Sequence, residues 1–294
     1  MTPASHVRPQ LDPPTIHRLA AFTDRPDGGN PAGVVVTDDA LPEREMLTIA
    51  AEVGYSETAF LVPRGDPGDR RYATRYFSPE AEVSFCGHAT IAAAVLLGTT
   101  LGPDTYTFET GQGPVDVEVR STSDGTSATL TSVTPRVDPA PDALIEETLG
   151  ALGWTHAQLD TSFAPAVAYA GARHLVVMVA TREVLADVRY DFERLRLAMA
   201  EHDLTTVALL HREHATRFHA RNLFPPGGVI EDPATGAAAA AFGAYLRRRA
   251  PTDTPSTIEI EQGTDMGRPS HLRVRIPPGD AGIQVSGTAV TLPS

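Results

Sequence analysis

The sequence predicts an α+β protein of two pseudo-symmetric lobes, each a curled, mostly antiparallel, barrel-like sheet wrapped around a central helix of small residues. Three observations predict it. The first is Glu231-Asp232-Pro233-Ala234-Thr235-Gly236 followed by Ala237-Ala238-Ala239-Ala240-Ala241-Phe242-Gly243-Ala244. Such a helix has little bulk and few polar groups, so neighbouring backbone can close on every side of it. The acids and the proline suit a helix start. The second is an echo, in which Phe85-Cys86-Gly87-His88-Ala89-Thr90 opens Ile91-Ala92-Ala93-Ala94-Val95. The third is spacing: Gly87 and Gly236 lie 149 residues apart, about half of the 294-residue chain. The strand-like runs Gly33–Val36 and Thr58–Val62 recur as Arg173–Val179 and Thr206–Leu210, at similar offsets. Two copies of one plan, each with a buried helix, are the expectation.

In chain order, residues 1–15 are Pro-rich and polar and are expected to be a loose, flexible N-terminal extension. The N-terminal lobe is expected over 16–138. It has strands at 16–23, 33–37, 56–62 and 71–77 and short strands at 105–109, 115–120 and 128–131. Its helices are 42–53, with Met46, Ile49, Ala50 and Val53 on one face, and the buried 85–98. The proline-rich run 135–141 is expected to be the boundary. The C-terminal lobe, 139–294, then carries helices at 143–152 and 192–201, with Phe192, Leu195 and Met199 inward. Strands are expected at 166–169, 174–179, 206–211, 216–222, 257–261, 272–276 and 282–292. Strand alternation and Gly-bearing turns justify these assignments, and the active site is expected in the cleft between the lobes.

Composition excludes several functions. A net charge of −13 with no basic cluster argues against nucleic acid and anionic membranes as partners. No apolar run reaches the length of a membrane span, and the first residues lack the apolar core of a signal peptide. A single Cys allows no internal disulfide and fits a reducing, cytoplasmic setting. All 24 basic residues are Arg, so no Lys is present to hold pyridoxal phosphate or complete a P-loop. No dinucleotide fingerprint or zinc spacing is present either. Neither a cofactor nor a metal is expected.

The chemistry therefore rests on side chains at the two helix mouths. Helix N-termini bind anions through unpaired N–H groups, so a small carboxylate is the expected ligand. Glu57, in Tyr55-Ser56-Glu57-Thr58-Ala59-Phe60, begins a half-buried strand among apolar groups. Such surroundings raise a carboxyl pKa and fit it for acid–base work; the alternative is an outward polar residue. His88 stands at the first helix mouth, where the dipole favours neutral imidazole, or else it is a capping or core histidine. Cys86 is read as structural, because thiol bases on opposite faces of a carbon come in pairs and this chain has one thiol.

Six ordered stretches now bear on identity: Gly29-Asn30-Pro31-Ala32-Gly33-Val34, Ser56-Glu57-Thr58, Tyr76-Phe77-Ser78-Pro79-Glu80-Ala81-Glu82, Phe85-Cys86-Gly87-His88-Ala89-Thr90, Glu231-Asp232-Pro233-Ala234-Thr235-Gly236 and Gln262-Gly263-Thr264-Asp265-Met266-Gly267-Arg268-Pro269-Ser270. Together they resemble the PhzF family of phenazine biosynthesis, whose fold is that of diaminopimelate epimerase. The resemblance runs from about Ile16 to Leu292. It implies a cofactor-independent isomerase, in which Glu57 is the catalytic acid/base with His88 and Asp232 as partners. It implies substrate contacts at Ser56, Tyr76, Gly87, Ala89, Thr90, Thr235, Gly236, Ala237 and Gln262. It also implies a homodimer. Where the epimerases carry a second thiol, this chain has Asp-Pro-Ala-Thr-Gly. Where the family usually has Ser after this motif, Ala237 stands. The expected reaction is a proton and double-bond shift on a small cyclic unsaturated amino acid or related carboxylate, in secondary-metabolite biosynthesis. An amino-acid epimerase or racemase, and a ligand-binding protein without turnover, stay open as alternatives.

Overall fold

A computed structural model describes residues 14–66, 68–123, 125–249 and 256–293. All but the last two residues of the expected N-terminal extension lie outside them. The first half runs β1 (Ile16–Ala21), β2 (Asn30–Val36), α1 (Glu43–Val53), β3 (Glu57–Arg64), β4 (Arg71–Phe77), β5 (Glu82–Val83), α2 (Gly87–Leu101), β6 (Thr105–Thr110), β7 (Gly113–Thr122) and β8 (Gly125–Thr131). The second runs β9 (Arg136–Pro139), α3 (Asp142–Leu152), β10 (Ala166–Tyr169), β11 (Arg173–Met178), α4 (Arg182–Ala186), α5 (Phe192–Glu201), β12 (Thr206–His214), β13 (Arg217–Leu223), β14 (Glu231–Asp232), α6 (Gly236–Arg249), β15 (Thr257–Gln262), β16 (Ser270–Arg275) and β17 (Gln284–Thr291).

The pairing order repeats. β1–β2 is antiparallel, β2–β3 parallel, β3–β4 antiparallel, β4–β6 parallel, and β6–β7–β8 antiparallel. β10–β11, β11–β12, β12–β13, β13–β15 and β15–β16–β17 follow the same alternation. The internal duplication expected from spacing is therefore present in the hydrogen bonding. β17 breaks the tidy division into halves. Its residues Gln284–Thr288 pair with β8, Ala289–Thr291 pair with β1, and Gln284–Ser286 also pair with β16. It closes the first barrel (β1, β2, β3, β4, β6, β7, β8, β17) and edges the second. Sequence reading gives this strand to the second lobe alone; the pairings give it to both. The proline-rich boundary is likewise no bare linker, because β9 pairs with β10.

Strand alternation sends one face of each sheet to its central helix and the other to outer helices. Val34, Ala59, Leu61 and Tyr76 face α2, while Val35, Phe60 and Phe77 pack on α1 through Met46, Ile49 and Val53. In the second half, Val176, Met178, Ala208 and Leu210 join the core around α6. Leu175, Val177, Val207 and Leu209 pack on Leu144, Leu149, Leu195 and Met199 of α3 and α5. α2 is buried along most of His88–Gly98, as its largely apolar composition requires, while its last turn, Thr99–Leu101, is exposed. At Gly98, an added Cβ would stand 2.3 Å from Val119 Cγ1, so this helix touches its wall at van der Waals range.

One expectation about α6 is corrected. Pro233 does not start the helix: Glu231 and Asp232 pair with Leu223 and Asn222 as β14, and α6 begins at Gly236. The extended pairing and the loop after it delay the first turn by three residues. Among the described residues no helix is long and apolar enough to cross a membrane.

Candidate active site

Both central helices open towards one cleft. Glu57 is the first residue of β3, paired beside Ala32 of β2, on the inward face shared by Ala59 and Leu61. His88, the second residue of α2, is buried, and its Nε2 lies 3.4 Å from Glu57 Oε2 and 3.4 Å from Ser56 Oγ. Its Nδ1 lies 3.3 Å from Cys86 Sγ. Burial pushes the Cys86 thiol well above its ordinary range, and the Glu57 and Asp232 carboxylates push it further. A thiol so raised stays protonated and is no nucleophile at neutral pH.

The second helix mouth supplies Asp232. Its Oδ1 accepts from Asn30 Nδ2 at 2.7 Å and its Oδ2 accepts from Thr235 Oγ1. Asn30 also donates to Ala234 O at 3.1 Å, so β2 of the first half holds the loop of the second. Burial raises the Asp232 pKa, with His88 and the hydrogen bonds opposing and Glu57 adding to the rise. A carboxyl raised by burial and coupled to a second acid and an imidazole is the setting for proton transfer. The first intrahelical bond of α6 runs from Ala239 N to Thr235 O at 3.0 Å. The N–H groups of Gly236, Ala237 and Ala238 therefore come before the ladder begins and suit an anion.

A cavity of about 1170 Å³ unites these groups. Ser56, Glu57, Gly87 and His88 line it from the first half, and Asp232, Thr235, Gly236 and Ala237 from the second. Four expected contacts are corrected, for they stand behind the lining. Tyr76, fully buried, is hydrogen-bonded to Thr90 Oγ1 at 2.6 Å, and Thr90 Oγ1 donates to Cys86 O at 2.7 Å. Ala89 is buried with its N–H directed to Cys86. Gln262 Nε2 donates to Asp232 O at 2.7 Å and Thr235 Oγ1 at 3.2 Å, while its Oε1 accepts from Thr235 N at 3.2 Å. These four shape the two mouths without reaching the cavity. The sequence alone assigns Asn30 no role; its one signal there is its place in the Gly-Asn-Pro turn beside a strand start.

Glu57, Cys86 and His88 also form the one group of three potential metal-ligand residues among the described residues, with ligand atoms within 4.8 Å of one another. Within it, Glu57 Oε2 and His88 Nε2 stand 3.4 Å apart.

Residues 19–294 match the family model described as phenazine biosynthesis-like protein. The chain is 33% identical to an uncharacterized isomerase of Mesorhizobium japonicum, over 87% of this chain and 88% of that one. It is 30% identical to the trans-2,3-dihydro-3-hydroxyanthranilate isomerase of Pseudomonas chlororaphis, over 93% of this chain and 95% of that one. A crystal structure of the Bacillus anthracis phenazine biosynthesis protein of the PhzF family superposes with a TM-score of 0.82 at 27% identity, covering 95% and 96% of the two chains. The repeated barrel pairing, the six ordered motifs and the convergence of Glu57, His88 and Asp232 on one cleft thus meet in one conclusion: this chain belongs to the phenazine biosynthesis-like PhzF family and is an isomerase.

Proposed function

We propose that the protein shifts a proton, and with it a double bond, within a small cyclic unsaturated amino acid or related carboxylate. The observation that carries this reading is the placement of Glu57, His88 and Asp232 on one cavity between two helix mouths. The N-terminal turns of α2 and α6 hold the substrate carboxylate. Glu57 takes a proton from a carbon activated by the neighbouring double bond. The released electron pair moves through the conjugated system, and a proton returns at its far end. His88, 3.4 Å from Glu57, and Asp232 flank the reacting atoms and can pass protons to and from them. Such chemistry draws on positioning and on general acid–base catalysis. The similarity to the hydroxyanthranilate isomerase supports trans-2,3-dihydro-3-hydroxyanthranilate as the first substrate to try and secondary-metabolite biosynthesis as the setting.

The test is Glu57→Gln, which keeps shape and hydrogen-bonding reach but takes up no proton. It is expected to fold, to bind, and to lose at least roughly a hundredfold in turnover, the low end for general acid–base catalysis. Asp232→Asn is expected to weaken binding as well as turnover. Turnover in D2O is expected to leave solvent deuterium in the product. Near-wild-type turnover by Glu57→Gln rules out the mechanism. Because the two acids come from opposite halves, epimerisation of an amino acid is the second reading. Solvent deuterium at the α-carbon together with loss of chirality, without movement of a double bond, would decide for it.

A further inference from the structure

His174, the second residue of β11, is fully buried and takes no part in the mechanism above. It shares the inward face of β11 with Val176 and Met178, over α6. It is among the residues that border the cavity, as are Ala170, Ala237 and Ala240, but packing closes over its side chain and leaves it no exposed surface. Its Nδ1 lies 2.7 Å from Thr206 Oγ1, while its Nε2 is buried with no hydrogen-bond partner among the described residues.

The proton positions follow from a chain of bonds anchored on backbone. The Thr235 N–H can only donate, and it meets Gln262 Oε1 at 3.2 Å; the Asp232 carbonyl can only accept, and it meets Gln262 Nε2 at 2.7 Å. The Gln262 amide is thereby oriented. Its Oε1 faces Asn222 Nδ2 at 3.4 Å, which orients Asn222 in turn. Asn222 Oδ1 must accept, and it receives the one hydroxyl proton of Thr206 at 2.8 Å. Thr206 Oγ1 has then only lone pairs to offer His174, so Nδ1 carries the imidazole proton and Nε2 is bare. Burial holds this ring in its neutral form, with a pKa lowered to about 3, so Nε2 stays an acceptor at working pH.

A buried acceptor without a donor is costly, and this one belongs to a residue on the cavity wall. We propose that His174 Nε2 receives a hydrogen bond from a donor group of the substrate, an amine or a hydroxyl, when the packing over it opens to the part of the cavity lined by Ala170, Ala237 and Ala240. The inference rests on the isomerase reading of the cavity, with its small amino-acid substrate. Ala237 and Ala240 offer no competing polar side chain, so the imidazole nitrogen sets which end of the ligand turns into the second half. The chain from His174 through Thr206, Asn222, Gln262 and Thr235 donates at every step towards Asp232, so the ligand's donor group joins the head of a network that ends on the catalytic carboxylate.

Calorimetric binding of 3-hydroxyanthranilate, 3-hydroxybenzoate and anthranilate to the wild type and to His174→Phe tests this. The second ligand lacks the amine and the third the hydroxyl. Deleting one of the two groups is expected to weaken wild-type binding by roughly tenfold. The same deletion is expected to make no difference in His174→Phe. Equal ratios in both proteins overturn the inference and leave Nε2 to a resident water. Failure of all three ligands to bind the wild type removes the substrate class itself, and this inference with it. Nitrogen-15 spectra of the wild type give a second reading that needs no variant. A protonated Nδ1 and a bare Nε2 between pH 5 and 8, with Nε2 shifting on addition of ligand, are expected; a protonated Nε2 overturns the assignment.

Discussion

Cys86 carries a thiol beside the proposed chemistry, 3.3 Å from His88 Nδ1, and its surroundings disarm it. Burial and two carboxylates keep it a thiol. Cys86→Ser is therefore expected to retain turnover within about tenfold of wild type, against the roughly hundredfold or greater loss of removing an acid–base group. A steady-state assay on the folded variant checks it, and a larger loss would return the thiol to the mechanism. His174 predicts a pH effect on stability. Its folded pKa, about 3, lies below the ordinary imidazole value of 6.5. Between these values the unfolded chain binds the extra proton, so the stability His174 contributes is present above 6.5 and is lost as pH falls towards 3. Wild type is expected to lose more stability between pH 7 and pH 4 than His174→Phe, as urea unfolding at each pH will show. Glu57, His88 and Asp232 were legible in sequence because each stands in a stretch whose residue types already imply a helix mouth or strand start. The depth of Tyr76, Thr90 and Gln262 was not, because a motif marks which residues gather at a site and not which of them stand one layer behind. His174 was missed for a similar reason: a histidine opening an apolar strand is recognisable only once Thr206 and Asn222 are seen to fix its proton.

Among the elements, the two central helices were the most readable, since only burial on all sides explains so many small residues in a row. Their closeness to the walls makes them sensitive to added volume. Gly98→Val in α2 would press on Val119 and Thr126. It is expected to cost about 1–3 kcal/mol, the usual penalty for overpacking, measurable as a lower urea midpoint with an unchanged slope. An unchanged midpoint would mean that β7 yields where the packing says it cannot. The start of α6 was less readable. Proline and acids are good first-turn residues, but β14 claims Glu231 and Asp232 for sheet pairing with β13. Two residues of strand carry almost no periodic signal, which is why β5 and β14 were both invisible in sequence. The same held for α4, a single short turn of helix ahead of α5.

For the whole molecule, the duplication was visible as a spacing, and the fold bears it out strand by strand. What spacing does not reveal is that β17 belongs to both barrels, since pairing partners 150 residues and more away leave no local trace. We propose that two chains pair, as the family resemblance implies; light scattering at micromolar concentration is expected to give twice the 31.3 kDa of one chain, and the mass of a single chain would count against it. β17 also governs the order in which the protein is completed at the ribosome. Multidomain chains commonly finish their N-terminal unit first, while the rest is still being made. Here β8 and β1 remain unjoined until Gln284–Thr291 emerges, so the half synthesised first is the half that must wait, with two open sheet edges, for a strand made after the rest of the second half.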